Sequence, residues 1–89
     1  MRGRVELAGP ETIALKALAY LVDDSEAFER FAAITGAHTA SVRERAAEPE
    51  FLVAVLDYLL ANESLLIAFC EAESLEAREV HLAAARLGE

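Results

Sequence analysis

Apolar side chains recur near the start of this chain at intervals of three and four residues, the spacing of one face of an α-helix. This stripe consists of Ile13, Ala14, Ala17, Leu18 and Leu21. Three residues fall on the opposite side of the same helix, namely Thr12, Lys16 and Tyr20. Pro10 and Glu11 suit a first turn, because proline fits there and an acidic side chain complements the positive end of the helix dipole. The pattern therefore predicts a first helix from Pro10 to about Asp23.

A second helix is predicted after Asp24 or Ser25, since either side chain can cap it by accepting a hydrogen bond from a free backbone N–H. Its buried stripe is predicted to consist of Phe28, Phe31 and Ala32, followed by Ile34 or Thr35. Gly36 is expected to end the helix in the left-handed conformation that glycine adopts without strain.

A short third helix is predicted over residues 40–47, with Thr39 as its cap. Val42 and Ala46 lie four positions apart, so both would face the core. The charged residues between them would be mostly exposed; these are Arg43, Glu44 and Arg45.

The fourth helix has the clearest start signal, because Pro49 lies between two acidic residues in its first turn. From Phe51 to Ala61 the only polar groups are the Asp57 carboxyl and the Tyr58 hydroxyl. A helix that is apolar on nearly all sides lies in the interior of a protein. The fourth helix is therefore predicted to be central and to contact most of the others.

Two more helices are predicted in the last third of the chain. Asn62 is expected to cap the fifth, whose inward residues would be Leu65, Leu66 and Phe69, with Cys70 beside them. Ser74 is expected to cap the sixth, and Gly88 to end it. The inward stripe of the sixth helix would be Ala77, Val80, Ala84 and Leu87.

These elements predict an all-α fold, a compact bundle of five to six short helices around the apolar fourth helix. The sequence has no alternating apolar and polar stretch that would favour strands. Residues 1–9 carry no apolar run and are interpreted as a flexible N-terminal tail, and residues 10–89 as a single helical domain.

Composition narrows the classes of function. Sixteen acidic side chains against eight basic ones give a formal net charge of −8, which repels nucleic acid and anionic membranes. The apolar segment 51–72 has the length of a membrane span, but Asp57 and Glu63 interrupt it, and burying them in lipid would be costly. A single cysteine fits a reducing compartment. We therefore expect a cytoplasmic protein that binds neither nucleic acid nor membrane.

Few side chains suggest chemistry. His38 and His81 are far apart in sequence, and no neighbouring pattern matches a metal site. Cys70 lies among apolar residues, where burial raises the pKa of a thiol and makes it inert. We expect no catalytic residue, no cofactor and no metal.

Asp57 is the most unusual single residue, because it is an acid within an apolar helix. It could be a functional carboxylate with a raised pKa or an anchor for a basic partner. Alternatively, Glu50, Ala54, Asp57 and Ala61 share one helical face that could simply be exposed to solvent. A third interpretation pairs Asp57 with an arginine such as Arg30 or Arg45.

The second and third predicted helices, with the turn from Gly36 to Thr39 between them, have the outline of a helix-turn-helix. Arg43 and Arg45 would lie on the recognition helix, but three acidic residues surround them, Glu44, Glu48 and Glu50. DNA binding needs a concentrated basic face. A nucleic-acid regulator is therefore only a minor alternative.

Several segments together resemble an uncharacterised bacterial family, domain of unknown function 3572. They are Glu11–Leu21, Phe31–Gly36 and Phe51–Phe69, and the similarity extends over about residues 11–87. The resemblance implies a small helical protein, mainly from alphaproteobacteria, and brings no activity, cofactor or catalytic residue. His38 and Thr39 stand where an acidic cap followed by proline is more usual, so the family pattern does not fix the start of the third helix.

The leading hypothesis is a non-enzymatic module for protein interaction or self-association, because a hydrophobic fraction of 55% exceeds what one small core can hide. Leu15, Val22 and Ile67 are the predicted interaction surface. We expect a weak homodimer or an unidentified protein partner, since a charge of −8 opposes tight self-association. The main alternative is a bundle that binds a small molecule or acyl chain, which would need a closed apolar cavity.

Overall fold

Six α-helices follow one another across residues 9–89, the part of the chain that the computed structural model describes. They are α1 (Pro10–Asp23), α2 (Ser25–Thr35), α3 (Thr39–Arg45), α4 (Pro49–Ala61), α5 (Glu63–Glu73) and α6 (Ala77–Leu87). The predicted all-α class is confirmed. Most of the predicted N-terminal tail, residues 1–8, lies outside the described residues.

Local sequence signals explain several helix ends. Pro10 and Pro49 occupy the first positions of α1 and α4, where a missing backbone N–H costs nothing. The Asp24 side chain accepts a hydrogen bond from the backbone N–H of Ala27 at 3.2 Å, which confirms it as the cap of α2. Gly36 ends α2 with φ of +75°, the left-handed conformation expected of it.

Two predicted caps in the last third of the chain differ from the structure. Ser74 does not start α6; it ends α5 in the left-handed conformation, with φ of 57°. The α6 cap is Glu76, whose backbone N–H donates to Glu79 Oε2 at 2.8 Å. Asn62 precedes α5 as expected, but its side-chain amide donates back to the Tyr58 carbonyl at 2.7 Å instead of capping α5.

The third helix begins one residue earlier and ends two residues earlier than predicted. Thr39 is its first residue and His38 its cap. The Ser41 hydroxyl closes this start by accepting from the His38 N–H at 3.3 Å and donating to the His38 carbonyl at 3.0 Å. The Ser41 side chain, inside α3, therefore makes hydrogen bonds to both backbone polar groups of His38, the residue before the helix.

The core lies between α1, α4 and α6, which pack most extensively on one another. Helix α4 also contacts α2 and α5, and Val55, Leu56 and Leu59 on it are fully buried. Beside them, the Phe31 ring lies edge-on to Phe51 and Tyr58, with centroids 5.7 and 5.5 Å away. Every buried side chain in residues 9–38 and 40–89 is apolar. The predicted central position of the fourth helix is confirmed.

Some residues lie on a different face from the one predicted. Ile34 is 73% exposed, so α2 turns Thr35 and not Ile34 toward the interior. Tyr20, expected on the outer side of α1, is half-buried with its ring 5.6 Å from that of Phe69 on α5. On α6, Ala77 is exposed and Ala83 is buried. Tyr20 is covered because α5 packs beside the face of α1 that the sequence pattern predicts to be exposed.

None of the helices within residues 9–89 is both long and apolar enough to cross a membrane. Helices α4 and α5 reach the necessary length and apolar character only when taken together, and the chain bends by 109° between them.

Candidate functional site

The three apolar residues predicted to remain at the surface are all exposed. Leu15 is 44% exposed, Val22 41% and Ile67 50%. Leu15 and Val22 line the same groove, whereas Ile67, on α5, is not among the residues of that groove. The structure therefore brings together two of the three predicted residues.

This groove lies between α1 and α3 and has a volume of about 470 Å³. Its apolar lining consists of Leu15, Leu18, Ala19, Val22, Val42 and Ala46, and its charged lining of Asp23 and Arg43. We call it the α1/α3 groove. Its lining is mainly apolar, and it is open to solvent.

The spacing along α1 explains one wall of the groove. Leu15, Ala19 and Val22 recur at intervals of four and three residues, so they share a helix face. That face lies beside the stripe facing the core, and Leu18 belongs to both. Apolar side chains thus extend beyond the half of α1 that α4 and α6 cover.

Helix α3 and the residue after it supply the other wall, because Val42 on the helix and Ala46 at its end both line the groove and are half-buried. The helix is anchored at its end by Arg45, whose guanidinium carbon lies 4.5 Å from the centroid of the Phe51 ring. Arg45 Nε also lies 3.8 Å from Glu48 Oε1. These contacts engage one of the two arginines that a DNA-reading third helix would offer, which weighs against that alternative.

The two charges of the α1/α3 groove stand on opposite walls. Asp23 is the last residue of α1, and Arg43 lies near the middle of α3. Neither takes part in any ion pair found within residues 9–89; those pairs are Lys16–Glu73, Glu26–Arg30, Arg45–Glu48 and Glu76–Arg78. Both side chains are on exposed residues. Among the described residues, therefore, the rim has one acid and one base without an ion-pair partner.

A larger groove, of about 600 Å³, lies between the starts of α2 and α5. Tyr20 and Tyr58 line it together with polar groups that include Asp24, Glu26 and Glu63. The three carboxylates have structural reasons to be there: Asp24 caps α2, and the other two stand in the first turns of α2 and α5, where the helix dipole favours negative charge. These acids do not by themselves indicate a ligand.

Asp57 is exposed, and so are Glu50 and Ala61 on the same face of α4, with Ala54 half-buried. This exposure agrees with the interpretation that this face of α4 is simply exposed to solvent. The pairing with an arginine is not found, because Arg30 and Arg45 contact Glu26 and Glu48 instead. The interior of the protein does not surround this carboxylate.

The other candidate chemical groups are apart from one another. Cys70 is buried, and burial, with a smaller contribution from the nearby Glu79 carboxylate, raises the pKa of its thiol. His38 and His81 are both exposed. Within residues 9–89, no three His, Cys, Asp or Glu side chains are grouped so that they could hold a metal ion.

Sequence reasoning identified one wall of the α1/α3 groove but not the groove. It placed Val42 and Ala46 on the inner side of the third helix without saying which helix they would face. It also treated Arg43 as an ordinary solvated charge. The sequence did contain a signal for this groove. Leu15, Ala19 and Val22 have the i, i+4, i+7 spacing of one helix face, so α1 has apolar residues beyond those of the stripe that faces the core.

Comparison with protein families finds one matching description, protein of unknown function (DUF3572), over residues 8–89. This agrees with the resemblance and extends it almost to both ends of the chain. No curated protein and no solved structure matches the chain significantly.

Proposed function

The chain belongs to the DUF3572 family of proteins of unknown function, and we propose that it is a non-enzymatic protein-interaction module. Its docking surface is the α1/α3 groove, and its occupant is the apolar face of a helix from a protein chain. The observation that carries this proposal is that apolar side chains from two helices converge on one open groove: Leu15 and Val22 on α1, which are exposed, and Val42 on α3, which is half-buried.

The shape of the groove supports a helical occupant. Leu15, Ala19 and Val22 extend over two turns of α1, about 10 Å at 1.5 Å per residue. Helical peptides are commonly bound by apolar grooves of this kind through residues at i, i+3, i+4 and i+7. The charges at the rim would orient the occupant more than they would add affinity.

A small-molecule or acyl-chain function fits less well. An acyl chain is bound by a cavity that removes most of its surface from water. The α1/α3 groove is open to solvent and is not an enclosed cavity, and the larger groove is lined by many polar groups. A helix face, unlike an acyl chain, needs only one of its sides covered.

The proposal is tested by crosslinking in the native cells. A photoreactive side chain at Leu15 reports what occupies the groove, in the otherwise unchanged protein and in two further backgrounds. Ala19→Glu places a charge in the groove, whereas Ala85→Glu makes the same change at an exposed position of α6. Both alanines are exposed, so both variants are expected to fold.

We expect protein adducts of defined mass in the unchanged and Ala85→Glu backgrounds and their loss in Ala19→Glu. An adduct of twice the chain mass identifies a second copy, and any other defined mass identifies a different protein. The proposal is wrong if no protein adduct forms, if only lipid or metabolite adducts form, or if the adducts persist in Ala19→Glu.

A further inference from the structure

We propose that the occupant of the α1/α3 groove is a second copy of this chain, bound across a two-fold axis so that Asp23 of each copy meets Arg43 of the other. This inference rests on the proposed function, since it names the partner of the same groove. It is carried by the charges on the two walls of the groove.

In a two-fold interface the same patch is used by both copies, so a contact from residue i to residue j occurs twice. A patch suits such an interface only if its charges complement themselves. The α1/α3 groove does so, because its lining contains one acid, Asp23, and one base, Arg43, on opposite walls. If all the charges of the groove had the same sign, the grooves of two copies of the chain would repel each other.

Neither charge has an ion-pair partner in the part of the chain that the structure describes. Two other exposed arginines do have partners there: Arg30 pairs with Glu26 on the same helix, and Arg78 pairs with Glu76, the cap of α6. Asp23 is also the last residue of α1, where the negative end of the helix dipole disfavours an acid. A cation from a second copy would relieve that unfavourable position.

The apolar centre of the groove provides the attraction between copies. Leu15 and Val22 of one α1 would pack against the same residues of the other helix, with Val42 at the side. The patch extends over only about two helical turns, so the interface is smaller than that of a stable dimer and the dimer is weak.

The net charge of −8 per chain sets the salt dependence. Long-range repulsion between two such molecules is strongest at low ionic strength and is screened by salt. Ion pairs partly enclosed in a contact are screened less. Raising the salt concentration should therefore tighten this dimer, the opposite of what is expected for a basic partner.

Charge exchange at the two positions tests the pairing. The purified variants Asp23→Arg and Arg43→Asp are studied alone and mixed, by sedimentation over a wide range of protein concentrations at low and high salt. Each variant alone places like charges opposite each other at both contacts of the dimer. In the mixture one chain is positive at both positions and the other negative, so both ion pairs form again.

We expect the unchanged protein to form a dimer whose affinity rises with the salt concentration. Each variant alone should dimerise at least about tenfold more weakly. The mixture of the two variants should form a heterodimer with the affinity of the original dimer. Asp57→Arg and Arg78→Asp are the controls. They change the net charge by the same amounts at exposed positions outside the groove, so they should alter dimerisation only slightly. Circular dichroism shows whether each variant is folded.

Three results would overturn the inference: a monomer at all concentrations and salt levels, a dimer that neither exchange weakens, or weakened variants whose mixture does not recover. If the chain is monomeric but Leu15 crosslinks to a different protein, the second-copy inference fails and the proposed function stands. If neither self-association nor groove-dependent crosslinking occurs, both fail.

Discussion

Replacing Leu56 by alanine tests whether α4 is the centre of the fold. Leu56 is fully buried, on the helix that contacts α1, α2, α5 and α6. The substitution removes three carbon atoms, and at about 0.8 kcal/mol for each buried methylene the lost transfer energy is about 2.4 kcal/mol. The cavity left behind raises the total, up to about 5 kcal/mol where neighbours cannot collapse into it.

Collapse is limited around Leu56, because its helix is held from several sides at once. A domain of this kind has a free energy of unfolding of about 5–15 kcal/mol, so the substitution would remove a large share of it. The melting temperature should fall by more than about 10 °C, since 1 kcal/mol corresponds to about 4–8 °C for a domain of this size.

The matched control is Leu82→Ala on α6, where the leucine is 61% exposed. The change in helix propensity is the same at both positions, so the difference between the two variants reports burial. Urea unfolding followed by circular dichroism should give a loss below about 0.5 kcal/mol for Leu82→Ala. If Leu56→Ala costs no more than its control, the central position of α4 and the reasoning from burial are wrong.

Three further predictions concern the glycine that ends α2, the cysteine, and the two histidines. Gly36→Ala should reduce the free energy of unfolding by about 1 kcal/mol, because a left-handed residue with φ of +75° is strained by a Cβ atom; an unchanged urea midpoint would contradict this. Cys70 should react with a thiol reagent at least about tenfold more slowly in the native protein than in denaturant, because it is buried and its pKa is raised; equal rates would contradict it. Replacing His38 and His81 together should leave the circular dichroism spectrum unchanged, since both are exposed. Neither the original protein nor this variant should contain zinc by elemental analysis, and zinc lost on replacement would refute the prediction.

The sequence alone determined most of the helix boundaries and the faces of the most regular helix. Pro10, Pro49 and Gly36 act locally, through backbone geometry that does not depend on the rest of the fold. The buried stripe on α1 was predicted in full because its five residues repeat at intervals of three and four, the spacing of one helix face. The exposure of Leu15 and Val22 followed from the same stripe.

Tertiary structure decided how the helices are placed against one another, which the periodicity of the sequence does not determine. Ser74 has a side chain that could cap the next helix, yet it ends α5 because the turn there needs a left-handed residue. Tyr20 is half-buried because α5 approaches α1 from that side, and the positions of neighbouring helices are not encoded in the pattern of either one. The α1/α3 groove has the same origin. Its two walls come from helices separated in sequence, so only their packing brings Val42 into one groove with Leu15 and places Asp23 and Arg43 on its two walls.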